Sequence, residues 1–339
     1  MVSEIKIEEA LSLNLPIIDV RSPGEFEKGH IPSAVNIPLF SNDERAHIGT
    51  VYKQESKEKA VELGYKYVNP KLDHYIKSSL KIAPDGKVIV HCWRGGMRSL
   101  AFARHLSDNG FSDVKQVIGG YKSYRNLVLE NLSIPVNLKV LGGYTGSGKT
   151  YILDQLKELG HQILDLEGLA NHKGSVFGGI GQLEQPSWEQ FENNLHKELI
   201  SLNLNKPIWV EDESHKIGRI LIPIQFFEQM RNAKLYFIDI PKEERAKHLV
   251  TGYANCDKEL LVNSINKIAK RLGGLNVKNS IKLLEENKYY EVAIITLSYY
   301  DKYYLKGMNK RESESIITIP LPSTNHYENA LKIGNDYKI

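Results

Sequence analysis

The segment Gly143-Tyr144-Thr145-Gly146-Ser147-Gly148-Lys149-Thr150 constrains this chain more than any other. It fits Gly-x-x-x-x-Gly-Lys-Ser/Thr in full. It follows the apolar run Leu138-Lys139-Val140-Leu141 and precedes a helical stretch over residues 152–159. A strand that feeds a helix through such a loop belongs to a mostly parallel α/β sheet. Glycines let successive backbone N–H groups turn inward around a phosphate, and the helix N-terminus adds favourable potential. Lys149 supplies a point charge and Thr150 a hydroxyl for Mg²⁺. The phosphate-binding candidates are Gly143, Thr145, Gly146, Ser147, Gly148, Lys149 and Thr150.

Such a loop needs an acidic partner at the end of an apolar strand. Ile208-Trp209-Val210-Glu211-Asp212-Glu213 supplies it. Asp212 is the first candidate to hold Mg²⁺ with Thr150, through water. Glu211 or Glu213 is the candidate for activating a nucleophile. Any single one of the three reads equally well as a strand-end surface charge. The motif specifies a phosphate-bearing ligand and leaves open whether that is a nucleoside triphosphate or a diphosphate ester.

A second site is written into Cys92-Trp93-Arg94-Gly95-Gly96-Met97-Arg98-Ser99, which follows the β-branched run Lys87-Val88-Ile89-Val90-His91. Inward N–H groups and a helix starting near Met97 stabilise a thiolate, and Arg94 and Arg98 add positive potential for an anionic substrate. Cys92 therefore reads as a nucleophile. His91 precedes it and points to the opposite face of the strand, as a core or supporting residue. Cys256 lacks comparable surroundings and reads as structural.

Those two are the only cysteines in 339 residues, which excludes a disulfide scaffold and a four-cysteine zinc site. With 44 Lys+Arg against 41 Asp+Glu the net charge is +3, so any nucleic-acid contact must be a local patch. No apolar run approaches a membrane span, and the expectation is a soluble cytoplasmic protein without a membrane partner.

The length suggests two domains. We place the first at residues 1–132, with short strands at 16–20, 34–38, 87–91 and 114–118, helices at 5–12 and 100–109, and a charged, partly helical insertion around 43–66. Residues 133–137, with Pro135, form a linker. The α/β rhythm then restarts at 138–339, with strands at 138–141, 162–166, 207–210, 235–240 and 316–319 and long helices at 188–202 and 293–304.

The first part resembles the rhodanese family. Asp19-Val20-Arg21-Ser22-Pro23, Glu25-Phe26 and the stretch from Gly29-His30-Ile31-Pro32 to Asn36-Ile37-Pro38 match its opening signature. Cys92 falls at its sulfur-carrying position, and Gly119-Gly120-Tyr121 is similar to its closing segment. The whole chain resembles bacterial tRNA 2-selenouridine synthases, a rhodanese-like α/β domain followed by a P-loop NTPase-like α/β domain. That resemblance also rests on Glu44-Arg45-Ala46, Gly49-Thr50-Val51-Tyr52-Lys53-Gln54, the block from Asp165-Leu166-Glu167 to Val176-Phe177-Gly178, Glu211-Asp212-Glu213-Ser214 and Lys270-Arg271-Leu272-Gly273-Gly274.

The resemblance implies a two-step edit of the wobble 2-thiouridine in tRNAs of the Lys, Glu and Gln type. Geranyl diphosphate first alkylates the 2-thio sulfur; selenophosphate then replaces the S-geranyl group with selenium. It implies that the phosphate loop holds the diphosphate with Mg²⁺, and that Cys92, with Arg94 and Arg98, handles selenium. A selenophosphate-producing enzyme is an implied partner. Glu167, Asn171, His172, Lys173 and Ser175 become candidate substrate contacts, and Arg271 a candidate lid arginine or a solvated helix-end charge. Candidate tRNA patches are Arg45, Lys53, Lys57 and Lys59, then Lys267, Lys270, Arg271 and Lys278. Tyrosines at 289, 290, 299, 300, 303 and 304 are stacking candidates, although that helical spacing also fits core packing. The competing reading is an NTP-dependent sulfurtransferase or small-molecule kinase, with the loop turning over ATP or GTP. An inactive regulatory module would need neither Cys92 nor Lys149.

Overall fold

The computed structural model describes residues 2–174, 182–253 and 257–336. It divides into two compact units, Met1–Asn131 with Glu192–Asn194, and Leu132–Phe191 with Leu195–Ile339. Among the described residues no helix is long and apolar enough to cross a membrane.

The first unit is built on five strands: β1 (Val2–Ile5), β2 (Ile17–Asp19), β3 (Val35–Asn36), β4 (Lys87–His91) and β5 (Asp113–Val117). Their order is β1-β5-β4-β2-β3, and every pairing is parallel. Ile18, Val88, Val90, Phe102, Leu106 and Val114 form the centre of its core. β1 was not foreseen: polar Ser3 and Glu4 hide a strand that gains its hydrogen bonds as an edge partner of β5. The following helix is accordingly shorter than expected, Ile7–Ser12. The insertion is two helices, Asn42–Gln54 and Lys57–Val68. Ser41 and Glu44 close a capping box on the first, and Ser56 caps the second.

The second unit carries β6 (Leu138–Gly143), β7 (Gln162–Leu164), β8 (Ile208–Glu211), a short antiparallel hairpin of β9 (Lys216–Ile217) and β10 (Ile220–Leu221), β11 (Leu235–Asp239) and β12 (Ile316–Pro320). Its main sheet has the order β12-β11-β6-β8-β7, again parallel throughout. Leu141, Ile152, Trp209, Ile238 and Ile319 pack its core. A separate apolar cluster of Leu261, Ile265, Leu272, Leu284 and Val292 joins the helices Lys258–Lys267, Ala269–Leu272, Gly274–Glu285 and Tyr289–Met308. β6 is central, so the loop that follows it emerges at the carboxyl edge of the sheet, where open α/β sheets place ligands.

Candidate active sites

The phosphate loop leaves β6 and enters the helix Lys149–Glu158 through Gly148, which has a left-handed backbone with φ 71°. A Cβ there would lie 2.6 Å from His326 Nε2, so glycine is required both for conformation and for space. Arg245 clamps the loop from outside. It is buried, donates to the Thr145 carbonyl at 3.1 Å, lies 4.9 Å from the Tyr144 ring centre, and is neutralised by Asp301 at 2.9 Å. Ser147 is buried and its hydroxyl donates to the Tyr144 carbonyl.

Lys149 Nζ donates to the Gly143 carbonyl at 3.2 Å and pairs with Glu211 at 3.3 Å. The Thr150 hydroxyl lies 3.0 Å from a Glu211 oxygen and 3.1 Å from a Glu167 oxygen. Glu167, Glu211 and Glu213 bring carboxylate oxygens within 4.8 Å of one another. Burial first, then repulsion from neighbouring carboxylates, Asp165 in the case of Glu211, raises all three pKa values, Glu167 to about 8. One lysine cannot neutralise three clustered carboxylates, two of them buried, and a set of hard oxygen donors beside a threonine hydroxyl suits Mg²⁺.

Asp212, the expected metal partner of Thr150, is elsewhere. Its carboxylate accepts from Arg311 at 2.9 Å and lies 3.7 Å from Arg231. The reason is strand alternation. Glu211 is paired with Leu141 in register, successive side chains point to opposite faces, and so Glu211 and Glu213 meet the loop while Asp212 faces the arginines. β8 is buried on both faces, so no polar pattern in the sequence marked which face was which.

The segment after β7 closes over the carboxylates. Asp165 caps the short helix Leu166–Leu169 and Glu167 turns inward, buried. Gly174 rests against the cluster: a Cβ there would be 2.6 Å from Glu167 and 2.7 Å from Glu213. Asn171 donates to the Glu184 carbonyl at 2.9 Å, a scaffold bond. The His172 ring is half-buried with Nδ1 enclosed and unbonded among the described residues, and burial lowers its pKa. Lys173 is exposed. Ser175 lies outside the described residues, as does Cys256.

Arg271 is exposed and lies 5.7 Å from the Tyr303 ring centre; the arginine that touches the loop is Arg245, which no sequence pattern marked. The tyrosines divide in role. Tyr304 donates to the Asp212 carbonyl at 3.2 Å, Tyr289 and Tyr299 pack on the helical cluster, and Tyr290 and Tyr303 are exposed. Tyr151 stacks on His326 at 4.8 Å, and His248 meets both rings edge-on. Neither histidine had a sequence signal, because two helices far apart in the chain, Lys242–Tyr253 and His326–Asp336, contribute one each.

In the first unit, Cys92 immediately follows β4 and is 3% exposed. Burial pushes its thiol up, but the Ser99 hydroxyl at 3.2 Å, the Arg98 charge and the backbone N–H groups of Ser99 and Arg94 outweigh it and hold the thiol below its ordinary value. Gln116 ties the loop together, donating to the Gly95 carbonyl at 2.6 Å and to Ser99 Oγ at 3.0 Å. Gln116 is buried although its strand, Asp113–Val117, is mostly polar, so no pattern in the sequence marked its role. Gly119-Gly120 packs backbone against backbone: a Cβ on Gly120 would sit 2.3 Å from the Cys92 carbonyl oxygen. Arg98 pairs with Glu25 at 2.9 Å, and Arg45 of the insertion approaches the same carboxylate at 3.8 Å. Arg94 is exposed to solvent. His91 is fully buried, 3.7 Å from Asp19, and burial lowers its pKa; it belongs to the Asp19–Arg21 network under the loop.

Comparison with known proteins fits both halves. The family model described as the tRNA 2-selenouridine synthase AAA domain matches residues 136–327, and the rhodanese-like domain model matches residues 5–127. A tRNA 2-selenouridine synthase of Nitrosomonas europaea is 38% identical over 261 residues, 74% of this chain and 67% of that protein. One from Nitrosomonas eutropha is 32% identical over 350 residues, 88% and 89% of the two chains. One from Shewanella frigidimarina is 34% identical over 344 residues, 89% and 91%. With both domains matched and relatives of this identity along most of its length, the chain belongs to the tRNA 2-selenouridine synthase family.

Proposed function

We propose that this protein is a transferase that converts 5-substituted 2-thiouridine in tRNA to 2-selenouridine. In the first step the 2-thio sulfur attacks C1 of geranyl diphosphate, the C1–O bond breaks, and pyrophosphate leaves. The phosphate loop is the cradle for that leaving group. Gly146, Ser147, Gly148 and Thr150 present backbone donors, and Lys149 offsets the developing charge. Mg²⁺ would be held by Thr150 with Glu211, Glu167 and Glu213, and supplies Lewis-acid stabilisation of the departing oxygens.

In the second step the Se–P bond of selenophosphate breaks, water taking up the phosphoryl group as phosphate; the selenide adds at C2, the C2–S bond breaks, and geranylthiol leaves. Cys92 and Arg98 act here, Arg98 by attracting the anionic donor and Cys92 as a thiolate that engages selenium. Anticodon loops of the Lys, Glu and Gln type are the substrates, and a selenophosphate-producing enzyme supplies the donor.

The observation that carries this reading is the assembled cluster at the phosphate loop. Lys149, Thr150 and three carboxylates converge where a diphosphate and its cation would sit. The names of the relatives support tRNA as the molecule modified and 2-selenouridine as the product. The test is mass spectrometry of nucleosides after incubating purified protein and Mg²⁺ with 2-thiouridine tRNA. Geranyl diphosphate alone should give S-geranyl-2-thiouridine, and adding selenophosphate should give 2-selenouridine. Unchanged 2-thiouridine in both reactions would reject the reading.

A further inference from the structure

The four helices between Lys258 and Met308 hold a charge surplus that the chain as a whole hides. Residues 258–308 carry nine Lys and Arg against five Asp and Glu, a net charge of +4. The whole chain has +3, so the remainder is at −1 (+3 less +4). One of the five acids, Asp301, is already neutralised by Arg245 at 2.9 Å. Lys267, Lys270 and Lys278 are exposed and, among the described residues, in no ion pair. An aromatic pair lies among these charges. The Arg271 guanidinium is hydrogen-bonded to the Tyr299 hydroxyl and lies 5.7 Å from the Tyr303 ring centre. Tyr299 packs into the apolar cluster and anchors the pair, whereas Tyr303 is 57% exposed. A planar cation held beside an open aromatic face suits an unpaired base, and exposed lysines around it suit phosphates.

We propose that this helical face binds the sugar–phosphate backbone of the substrate tRNA, with an unpaired base stacked on Tyr303 and Arg271. The assignment rests on the function proposed above and adds to it the surface that holds the RNA. The face adjoins the phosphate-loop site on two sides. The Lys267 charge acts on His172, which follows the segment that carries Glu167. The helix that exposes Tyr303 also carries Tyr304, whose ring lies 6.1 Å from that of Tyr144 in the loop. RNA held here would therefore lie next to the carboxylate cluster rather than remote from it. Such contacts are to backbone and ring faces, so they carry little sequence preference.

The experiment is fluorescence anisotropy of labelled 2-thiouridine tRNA, titrated with the full chain over a series of salt concentrations. The joint variant Lys270→Gln with Lys278→Gln should lower the slope of log affinity against log salt by about 1.4–1.8, because two phosphate contacts are lost. Tyr303→Ala should weaken binding at least about fivefold, and Tyr303→Trp should restore it. Each variant should melt with the parent chain, since the side chains changed are exposed. Unchanged affinity and slope in the variants, with tRNA bound by the parent chain, would overturn this surface and leave the proposed function standing. Tighter binding of phosphatidylglycerol vesicles than of tRNA, lost in the joint variant, would assign the face to a lipid surface and overturn the proposal. No binding of tRNA by the parent chain would overturn the proposed function and this surface together.

Discussion

At Gly120, with φ 58°, the loop that carries Cys92 meets the turn that closes the sheet, and no side chain fits between them. Gly120→Ala should therefore cost at least about 2 kcal/mol, from left-handed strain and overpacking. Chemical denaturation would register it as a lower midpoint at unchanged slope. Ser99 governs the thiol in a different way. Its hydroxyl helps to hold Cys92 ionised, so the thiolate fraction at neutral pH exceeds that of an ordinary cysteine. In a Cys256→Ser background, ultraviolet absorbance of the thiolate followed against pH should give a midpoint below the ordinary thiol value. Ser99→Ala should move that midpoint up. An unchanged midpoint would show that Arg98 and the backbone suffice. The sequence made Cys92 and its glycines legible because they are contiguous. Gln116 was not, because it reaches the loop from a neighbouring strand.

Elements explain where the reading of the sequence succeeded and where it shifted. Apolar runs marked β4, β6, β8 and β11 because strands buried on both faces have few polar interruptions, Lys139 of β6 among them. β1 escaped because half of its residues are polar and its pairing comes from a strand more than a hundred residues away. The exchange of Asp212 for Glu211 is also an element effect, a matter of which face of β8 meets the loop. It separates two variants. Glu211→Gln should raise the Mg²⁺ requirement of the first step more than tenfold, because the proposed site loses a charged oxygen ligand. Asp212→Asn should leave Mg²⁺ dependence alone and cost about 1–3 kcal/mol of stability, because Arg311 and Arg231 lose their buried partner. Titrating Mg²⁺ in the geranylation assay, beside thermal melts, distinguishes the two. A raised Mg²⁺ requirement in Asp212→Asn would return Asp212 to the metal site.

On the scale of the whole molecule, one chain carries two α/β units with separate chemical equipment. The first has a thiol held below its ordinary pKa beside Arg98, and the second a glycine-rich loop beside three clustered carboxylates. In the proposed function the two steps divide between them. The direct measurement is mass spectrometry of tRNA nucleosides made by Lys149→Ala and Cys92→Ser. Each variant is given 2-thiouridine tRNA in one reaction and S-geranylated tRNA in another, with all small substrates present. Lys149→Ala should fail to geranylate 2-thiouridine yet convert the S-geranyl form to 2-selenouridine. Cys92→Ser should geranylate normally and stop there, accumulating S-geranyl-2-thiouridine. Full geranylation by Lys149→Ala, or normal selenation by Cys92→Ser, would contradict the division.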